Sequence, residues 1–530
     1  MKEKIRTILE EALPLVDFDS DFLFSELDSL GVTTILMLLS DEYGIKLEAT
    51  DATPKNLKTL DSIVAMVEKK LTIMNCIERY IERNATLYPD KTAIVCDGEH
   101  CTYSMLQERI SRKAAALQEA GCREGQIVCL RALPTVDYLV DYFAYHVAGC
   151  VVAPLEKDLP EASFQKIADE LCPHTVPKGS ADILYTTGTT GRSKGVIISH
   201  DAIIADAENL IDGQGFSHDL AFVVNGPLNH IGSLSKLYPL MMLGATAIIV
   251  DGLKDLNRFF DAFQYPAPKM ATFLVPASIR MLLQFGAAQL AALADKMDFI
   301  ETGAAAISQA DMAALCRLLP TTRLYNTYAS TETGIISTYN YNDGKCVAGC
   351  LGRPMKHSQI IITDKGLIAC KGRTLMTGYL GAPISDQGQS VALRTLSPLT
   401  SHLSPLEVVY TSDMGMLDAD GMLHLTGRED DVINVGGFKV APTEVEDAAL
   451  AFPDMEDCVC IPVDHIITGK ALKLLVVMKD GKSLDRKALA LHLKTRLEAY
   501  KIPMLYSQVD KVERTFNGKI NRKHYIQSAG

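Results

Sequence analysis

From about residue 76 to about residue 427, short apolar runs such as QIVCLRA, GCVVAPL, ATAIIV and ATFLVP alternate with amphipathic helical stretches. Strands this apolar need cover on both faces, so the rhythm calls for a helix-covered, largely parallel α/β body. At 530 residues the chain exceeds what one hydrophobic core supports, and about three units or more are expected. Ahead of the body, residues 1–71 read as a small bundle of four short helices. Ile5, Ile8, Leu9 and Leu13 share one helical face, a second helix begins near Asp28, and LKTLDSIVAMVEKKL is amphipathic. A joint near Thr72 to Asn75 separates it from the next helix and spans ~15 Å when extended. Behind the body, a shorter segment carries CVCIPV and KLLVVMKD as strands and DRKALALHLKTRLEAY as a helix. A glycine pair in INVGG at its edge suggests a hinge. The expected domains are 1–71, 76–428 and 429–530.

The formal charge of -13 argues against nucleic acid or an anionic membrane surface as the main partner. The N-terminus mixes charges among its apolar residues and lacks a signal-peptide core. The longest apolar runs, such as LYPLMMLGATAIIV, are too short to span a bilayer. Thirteen cysteines are scattered through apolar stretches without zinc spacing, apart from the lone Cys458-x-Cys460 pair, and read as reduced core thiols of a cytoplasmic protein.

The stretch ILYTTGTTGRSKGV, Ile183 to Val196, has the composition of a phosphate cradle: glycines for close backbone approach, hydroxyl and amide donors, and a lysine. Walker A spacing fails, because Ser193 and not glycine precedes Lys194. Taken alone, the cluster also suits a plain glycine-rich hairpin. NTYASTETG, Asn326 to Gly334, gathers an aromatic ring, hydroxyls and a carboxylate on one turn, which can stack a base, bond a phosphate and hold a magnesium ion. Asp413 ends the strand LEVVYTSD and suits a ribose diol, Arg428 follows in TGREDD, and Lys519 lies in TFNGKINR.

In this order the five motifs resemble the acyl-adenylate-forming superfamily, which includes acyl-CoA synthetases, luciferases and nonribosomal-peptide adenylation domains. The likeness runs from about Cys76 to the C-terminus. It implies that Thr186, Thr187, Gly188, Thr189, Thr190, Ser193 and Lys194 embrace the ATP β- and γ-phosphates. It further implies that Tyr328 stacks on adenine beside the backbone strip Gly303–Ala304, and that Asp413 and Arg428 clamp the ribose. Thr331 then contacts the α-phosphate, Glu332 is the magnesium ligand, Asp430 the hinge pivot, and Lys519 bridges the carboxylate and the α-phosphate. His230 in GPLNHIGSL is either a core histidine or a wall of the acyl pocket. Amino-acid-activating relatives place an aspartate where Ile231 stands here, and an ammonium buried against Ile231 would be unpaired. A fatty or aryl acid without an α-amino group is therefore favoured. Ala329 replaces the usual glycine of the Tyr-Gly-x-Thr-Glu motif, Asn434 stands where many relatives carry lysine, and the chain ahead of the phosphate loop is shorter than usual.

LDSLG, Leu27 to Gly31, followed by VTTILMLLSDEYGIKL, is similar to acyl carrier proteins. The likeness implies 4'-phosphopantetheine on Ser29, although Asp28 or Ser29 also serves simply as a helix cap. The fold class expected is multidomain, with an N-terminal four-helix carrier bundle, a large α/β adenylate-forming domain and a small C-terminal α+β domain on a hinge. The function expected is ATP- and Mg2+-dependent activation of a small carboxylic acid, then transfer to a carrier thiol in cis or trans after a phosphopantetheinyl transferase has acted. Free coenzyme A is the alternative acceptor, and a non-catalytic nucleotide-binding scaffold that presents a carrier is the rival from another class.

Overall fold

The computed structural model describes residues 1–43, 47, 49–74, 76–186, 194–381, 408–514 and 520–527. Thr187, Gly188, Thr189, Thr190, Ser193 and Lys519 therefore lie outside the described residues, and Thr186 and Asp430 are described by backbone alone. The chain divides into two units, Met1–Arg83 and Asn84–Gly530.

In the first unit, α-helices span Lys2–Ala12, Ser29–Tyr43 and Leu60–Met74, with 3-10 turns at Leu23–Ser25 and Ala49–Asp51. Ile5 and Leu9, one turn apart, meet Phe18, Leu23, Ile35, Leu39, Leu57, Ile63 and Val67 in a single apolar core. Reciprocal bonds start the last helix: the Ser62 N–H donates to Thr59 Oγ1 (3.1 Å) and the Thr59 N–H to Ser62 Oγ (2.7 Å). The helix starting at Ser29 begins where Asp28 can cap it. The Gly31 N–H donates to Asp28 Oδ1 at 2.7 Å.

The second unit is built on a thirteen-stranded and a five-stranded sheet, with smaller two- and three-stranded sheets near the C-terminus. Strands Thr92–Cys96, Thr246–Ile249, Leu220–Val224, Lys269–Leu274, Met297–Thr302 and Arg323–Ser330 run parallel in that spatial order. Beyond Ser330 the sheet continues antiparallel through Gly334–Asn340, Cys350–Pro354, Leu423–Arg428 and Val408–Leu417. The largely parallel body is thus parallel only while helices intervene. Between Arg323 and Arg428 no described helix separates one strand from the next, and strands joined by turns and loops alone pair antiparallel here. The five-stranded sheet carries Ser180–Thr186 and Lys194–Ser199, the two arms of the glycine-rich loop, paired antiparallel with Thr186 opposite Lys194.

Near the C-terminus, Ile433–Val435 and Phe438–Val440 form a hairpin. Its two-residue turn, Gly436 (φ 59°) and Gly437 (φ 94°), needs positive φ at both positions, which only glycine adopts without strain. The three-stranded sheet, Met455–His465, Gly469–Met478 and Leu505–Gln508, packs with helices Pro442–Leu450 and Arg486–Lys494 around Val445, Leu472, Leu474, Leu489 and Leu493. All thirteen cysteines are free thiols. Among the described residues no helix is long and apolar enough to cross a membrane.

Candidate active site

Hairpin register brings the first group together. Asp413 and Arg428 are directly opposite on neighbouring antiparallel strands, and Arg428 Nε lies 3.0 Å from Asp413 Oδ1. The Tyr328 hydroxyl, from the strand Arg323–Ser330, donates to Asp413 Oδ2 at 2.9 Å. Burial, reinforced by the Asp413 charge, holds this phenol well above its ordinary pKa, so it stays a donor. Three side chains separated by as many as 100 positions in sequence thus form one polar knot with a half-buried carboxylate at its centre.

The strip Gly303–Ala304 follows the strand Met297–Thr302. A Cβ on Gly303 would sit 3.0 Å from the Thr327 carbonyl oxygen, a tight contact that favours glycine there. Ala304 adopts φ 67°, a strained conformation for a residue with a side chain and one that concentrates at ligand sites. Just upstream, Glu301 Oε1 accepts from Lys236 Nζ at 2.8 Å within a buried ion pair, and both side chains are about 1% exposed. The pair fastens the end of this strand to the helix Ile231–Leu243.

His230 caps that helix: its Nδ1 accepts from the Gly232 N–H at 3.2 Å, which leaves the ring proton on Nε2. Added Cβ atoms on Gly232 and on Gly303 would lie 3.3 and 3.5 Å from the Phe273 ring, so both glycines border the same aromatic side chain. His230 is half-buried at this place, next to the buried Ile231. Capping is its observed role, and that role is compatible with lining an acyl pocket.

Thr331 and Glu332, both half-buried, occupy the turn between strands Arg323–Ser330 and Gly334–Asn340. The turn is tied from several sides. Ser330 and Thr333 bond to each other, Thr374 Oγ1 donates to the Thr333 carbonyl at 2.8 Å, and the Met376 N–H donates to the Glu332 carbonyl at 2.9 Å. The Tyr379 hydroxyl donates to Glu332 Oε1 at 3.1 Å. Among the described residues no lysine or arginine pairs with Glu332, which leaves its second oxygen able to face a cation. A carboxylate of this kind, beside substrate phosphates, fits magnesium, a hard cation that takes oxygen ligands.

Several contributors were not visible in the sequence. On the helix His200–Gln214, which directly follows the descending arm of the glycine-rich loop, Asp206 Oδ1 accepts from the Ile335 N–H at 2.8 Å. Asn209 Nδ2 donates to the Ile335 carbonyl at 2.8 Å, and Gln214 Nε2 to Thr327 Oγ1 at 3.0 Å. One helix face thereby holds the hairpin that carries Tyr328 and Glu332. The signal available was buried polarity, two polar residues at i and i+3 in HDAIIADAENLIDG, but their partners lie more than 100 positions away.

Burial pushes the Asp206 carboxyl up to about 8, against the opposing Ile335 N–H and Lys236. A carboxyl raised in the folded state contributes stability that is complete below its unfolded value near 4 and is lost as pH climbs through about 8. The thermal midpoint of the wild type should therefore fall between pH 6 and pH 9 more steeply than that of Asp206→Asn. Parallel pH profiles for the two proteins would contradict this assignment.

Ser29 is exposed at the first turn of its helix. Because Asp28 makes the cap bond, the serine hydroxyl is not needed for it, and the site fits a covalently attached arm. Near the C-terminus, Arg514 forms a two-pronged pair with Asp457 (2.9 and 2.8 Å) and bridges backbone-wise to Ile520, while Arg522 Nη2 donates to Glu446 at 2.8 Å. The chain is thus anchored on either side of the segment that contains Lys519.

Residues 81–182 and 173–380 match the family model described as AMP-binding enzyme, residues 444–519 match the AMP-binding enzyme C-terminal domain, and residues 2–67 match the phosphopantetheine attachment site. The two AMP-binding ranges overlap at residues 173–182. A feruloyl-CoA synthase from Amycolatopsis sp is 28% identical over 495 residues, covering 83% of this chain and 96% of the relative. An indoleacetate–CoA ligase from Aromatoleum aromaticum is 26% identical over 506 residues, covering 84% and 96%. The crystal structure of ATP-bound MatB from Rhodopseudomonas palustris superimposes with a TM-score of 0.72 at 23% identity, covering 85% of this chain and all of that one, and shares the fold. With more than half of its length matched, the chain belongs to the AMP-binding enzyme family and carries a phosphopantetheine attachment domain at its N-terminus.

Proposed function

We propose that the protein activates a small carboxylic acid without an α-amino group, fatty or aryl, as its acyl adenylate and passes the acyl group to a phosphopantetheine thiol. The observation that carries the reading is the convergence of Tyr328 and Arg428 on Asp413, one by a hydrogen bond and one by an ion pair, in a chain that also has an exposed Ser29 in a carrier-type unit. An aryl acid within that class is supported by the relatives' names, feruloyl-CoA synthase and indoleacetate–CoA ligase, and the exclusion of an α-amino group by the buried, apolar Ile231.

In the first half-reaction a carboxylate oxygen of the acid attacks the α-phosphorus of ATP, and the bond to the β-phosphate breaks to release pyrophosphate. Two anions must meet, and the chain lowers that barrier with fixed charge. Tyr328 offers a flat, buried wall for adenine. Asp413, already held by Tyr328 and Arg428, still has lone pairs for the ribose hydroxyls. Thr331 supplies a hydroxyl toward the α-phosphate, Lys519 a positive charge between the carboxylate and that phosphate, and Glu332 an oxygen for magnesium. Bound magnesium would supply charge neutralisation on the phosphates. Lys194 and the hydroxyls of the glycine-rich loop steady the departing pyrophosphate. In the second half-reaction a thiolate sulfur attacks the activated carbonyl carbon and AMP leaves. The segment 429–530 would turn about Asp430 between the two steps, which places the Gly436–Gly437 hairpin at the thiol entrance.

Free coenzyme A is the second reading for the acceptor, favoured by the names of the two relatives. Intact mass measurement of the phosphopantetheinylated protein after incubation with ATP and a panel of acids separates the two. Carrier loading predicts a mass gain equal to one acyl group. Free coenzyme A consumed with no mass gain at any acid would refute it.

A further inference from the structure

Tyr379 is absent from the motif-based account, yet it touches two of the segments assigned to ATP. The strand Gly378–Tyr379 pairs antiparallel with Lys194–Ser199, with Tyr379 opposite Val196 and Gly378 opposite Ile197. The Leu380 N–H donates to the Gly195 carbonyl and the Thr377 N–H to the Ile197 carbonyl, both at 2.8 Å. The tyrosine is therefore fixed to the arm that descends from the glycine-rich loop. From there its hydroxyl reaches Glu332 Oε1 at 3.1 Å, while Lys194 Nζ lies 4.8 Å from the centre of its ring. The Thr374 hydroxyl on the Thr333 carbonyl and the Met376 N–H on the Glu332 carbonyl hold the same segment against the Glu332 turn.

The arrangement has an electrostatic consequence. An exposed ammonium and a half-buried carboxylate approach one phenol from different segments, and among the described residues they form no ion pair with each other. A direct Lys194–Glu332 pair would spend both charges on each other. The phenol gives each a separate seat: a hydrogen bond for the carboxylate and a π-face for the ammonium.

We propose that Tyr379 is a positioning residue of the ATP site, whose hydroxyl orients Glu332 toward the metal and whose ring holds Lys194 toward the terminal phosphates, keeping the two opposite charges apart. The proposal rests on the roles given to Glu332 and Lys194 above and goes beyond them by naming the residue that sets them in register.

Two substitutions separate the two seats. Tyr379→Phe removes the hydroxyl and keeps the ring, and Tyr379→Leu removes both. Mn2+ binding followed by electron paramagnetic resonance in the presence of ATP reads the Glu332 seat, and calorimetric ATP binding in EDTA reads the Lys194 seat. Tyr379→Phe should weaken Mn2+ binding by about 3- to 10-fold, the scale of one lost hydrogen bond, and leave metal-free ATP binding unchanged. Tyr379→Leu should weaken both. Wild-type-like Mn2+ binding by Tyr379→Phe would overturn the proposal, as would an equal loss of both affinities in the two variants. A matching thermal midpoint for Tyr379→Phe keeps that variant decisive even if the leucine variant misfolds. If the wild type itself binds no ATP, the reading of the site falls; if it binds ATP and Mn2+ and Tyr379→Phe matches it, only the role of Tyr379 falls.

Discussion

Lys519→Ala is expected to lower acid-dependent exchange of pyrophosphate into ATP by about 100- to 1,000-fold, the loss that follows removal of one fixed donor at a developing charge. The argument is electrostatic. The attacking carboxylate and the α-phosphate repel, and the proposed Lys519 ammonium between them stabilises the charge that grows at phosphorus. Attack of a thiol on a preformed acyl adenylate needs no such bridge, so the same variant should retain the second half-reaction when supplied with the adenylate. Equal losses in both half-reactions would mean that Lys519 serves structure and not adenylation. The flanking anchors Arg514–Asp457 and Arg522–Glu446 form without Lys519 and should be retained in this variant.

Ser29→Ala is expected to abolish phosphopantetheinylation and every subsequent acyl mass gain, while pyrophosphate exchange stays at the wild-type rate. The effect is all-or-none because the hydroxyl oxygen is the atom that would bear the arm. Folding should survive, since Asp28 Oδ1 accepts the bond from the Gly31 N–H that caps the helix and Ser29 is exposed. Intact mass spectrometry after treatment with a phosphopantetheinyl transferase and coenzyme A checks it. A remaining mass gain in the alanine variant would place the attachment at another residue.

What could be read from the sequence was the part in which a side chain's own chemistry is the signal. The glycines and hydroxyls at 183–196, the aromatic and acid of NTYASTETG, Asp413 and Arg428 each suggest a ligand type by composition and spacing. The opposed register of Asp413 and Arg428 follows from hairpin pairing and the hydroxyl bond from Tyr328 from a tertiary contact, neither of which a local pattern contains. The helix start at Ser29 was legible because Asp28 is a capping residue acting on its own neighbours. Asp206, Asn209 and Tyr379 were not legible for the opposite reason. Each acts on residues more than 40 positions away, two of them through backbone groups that any sequence possesses. The strand runs announced a covered sheet, but the antiparallel half emerged only where no described helix separates one strand from the next.

If the proposed site with Tyr328, Asp413, Arg428 and Glu332 makes acyl adenylates, the wild-type protein assayed with Mg2+ across fatty, aryl and α-amino acids will exchange pyrophosphate into ATP. That exchange should depend on a fatty or aryl acid and be absent with every α-amino acid. Silence across the whole panel, or exchange driven by an α-amino acid, would contradict the proposal.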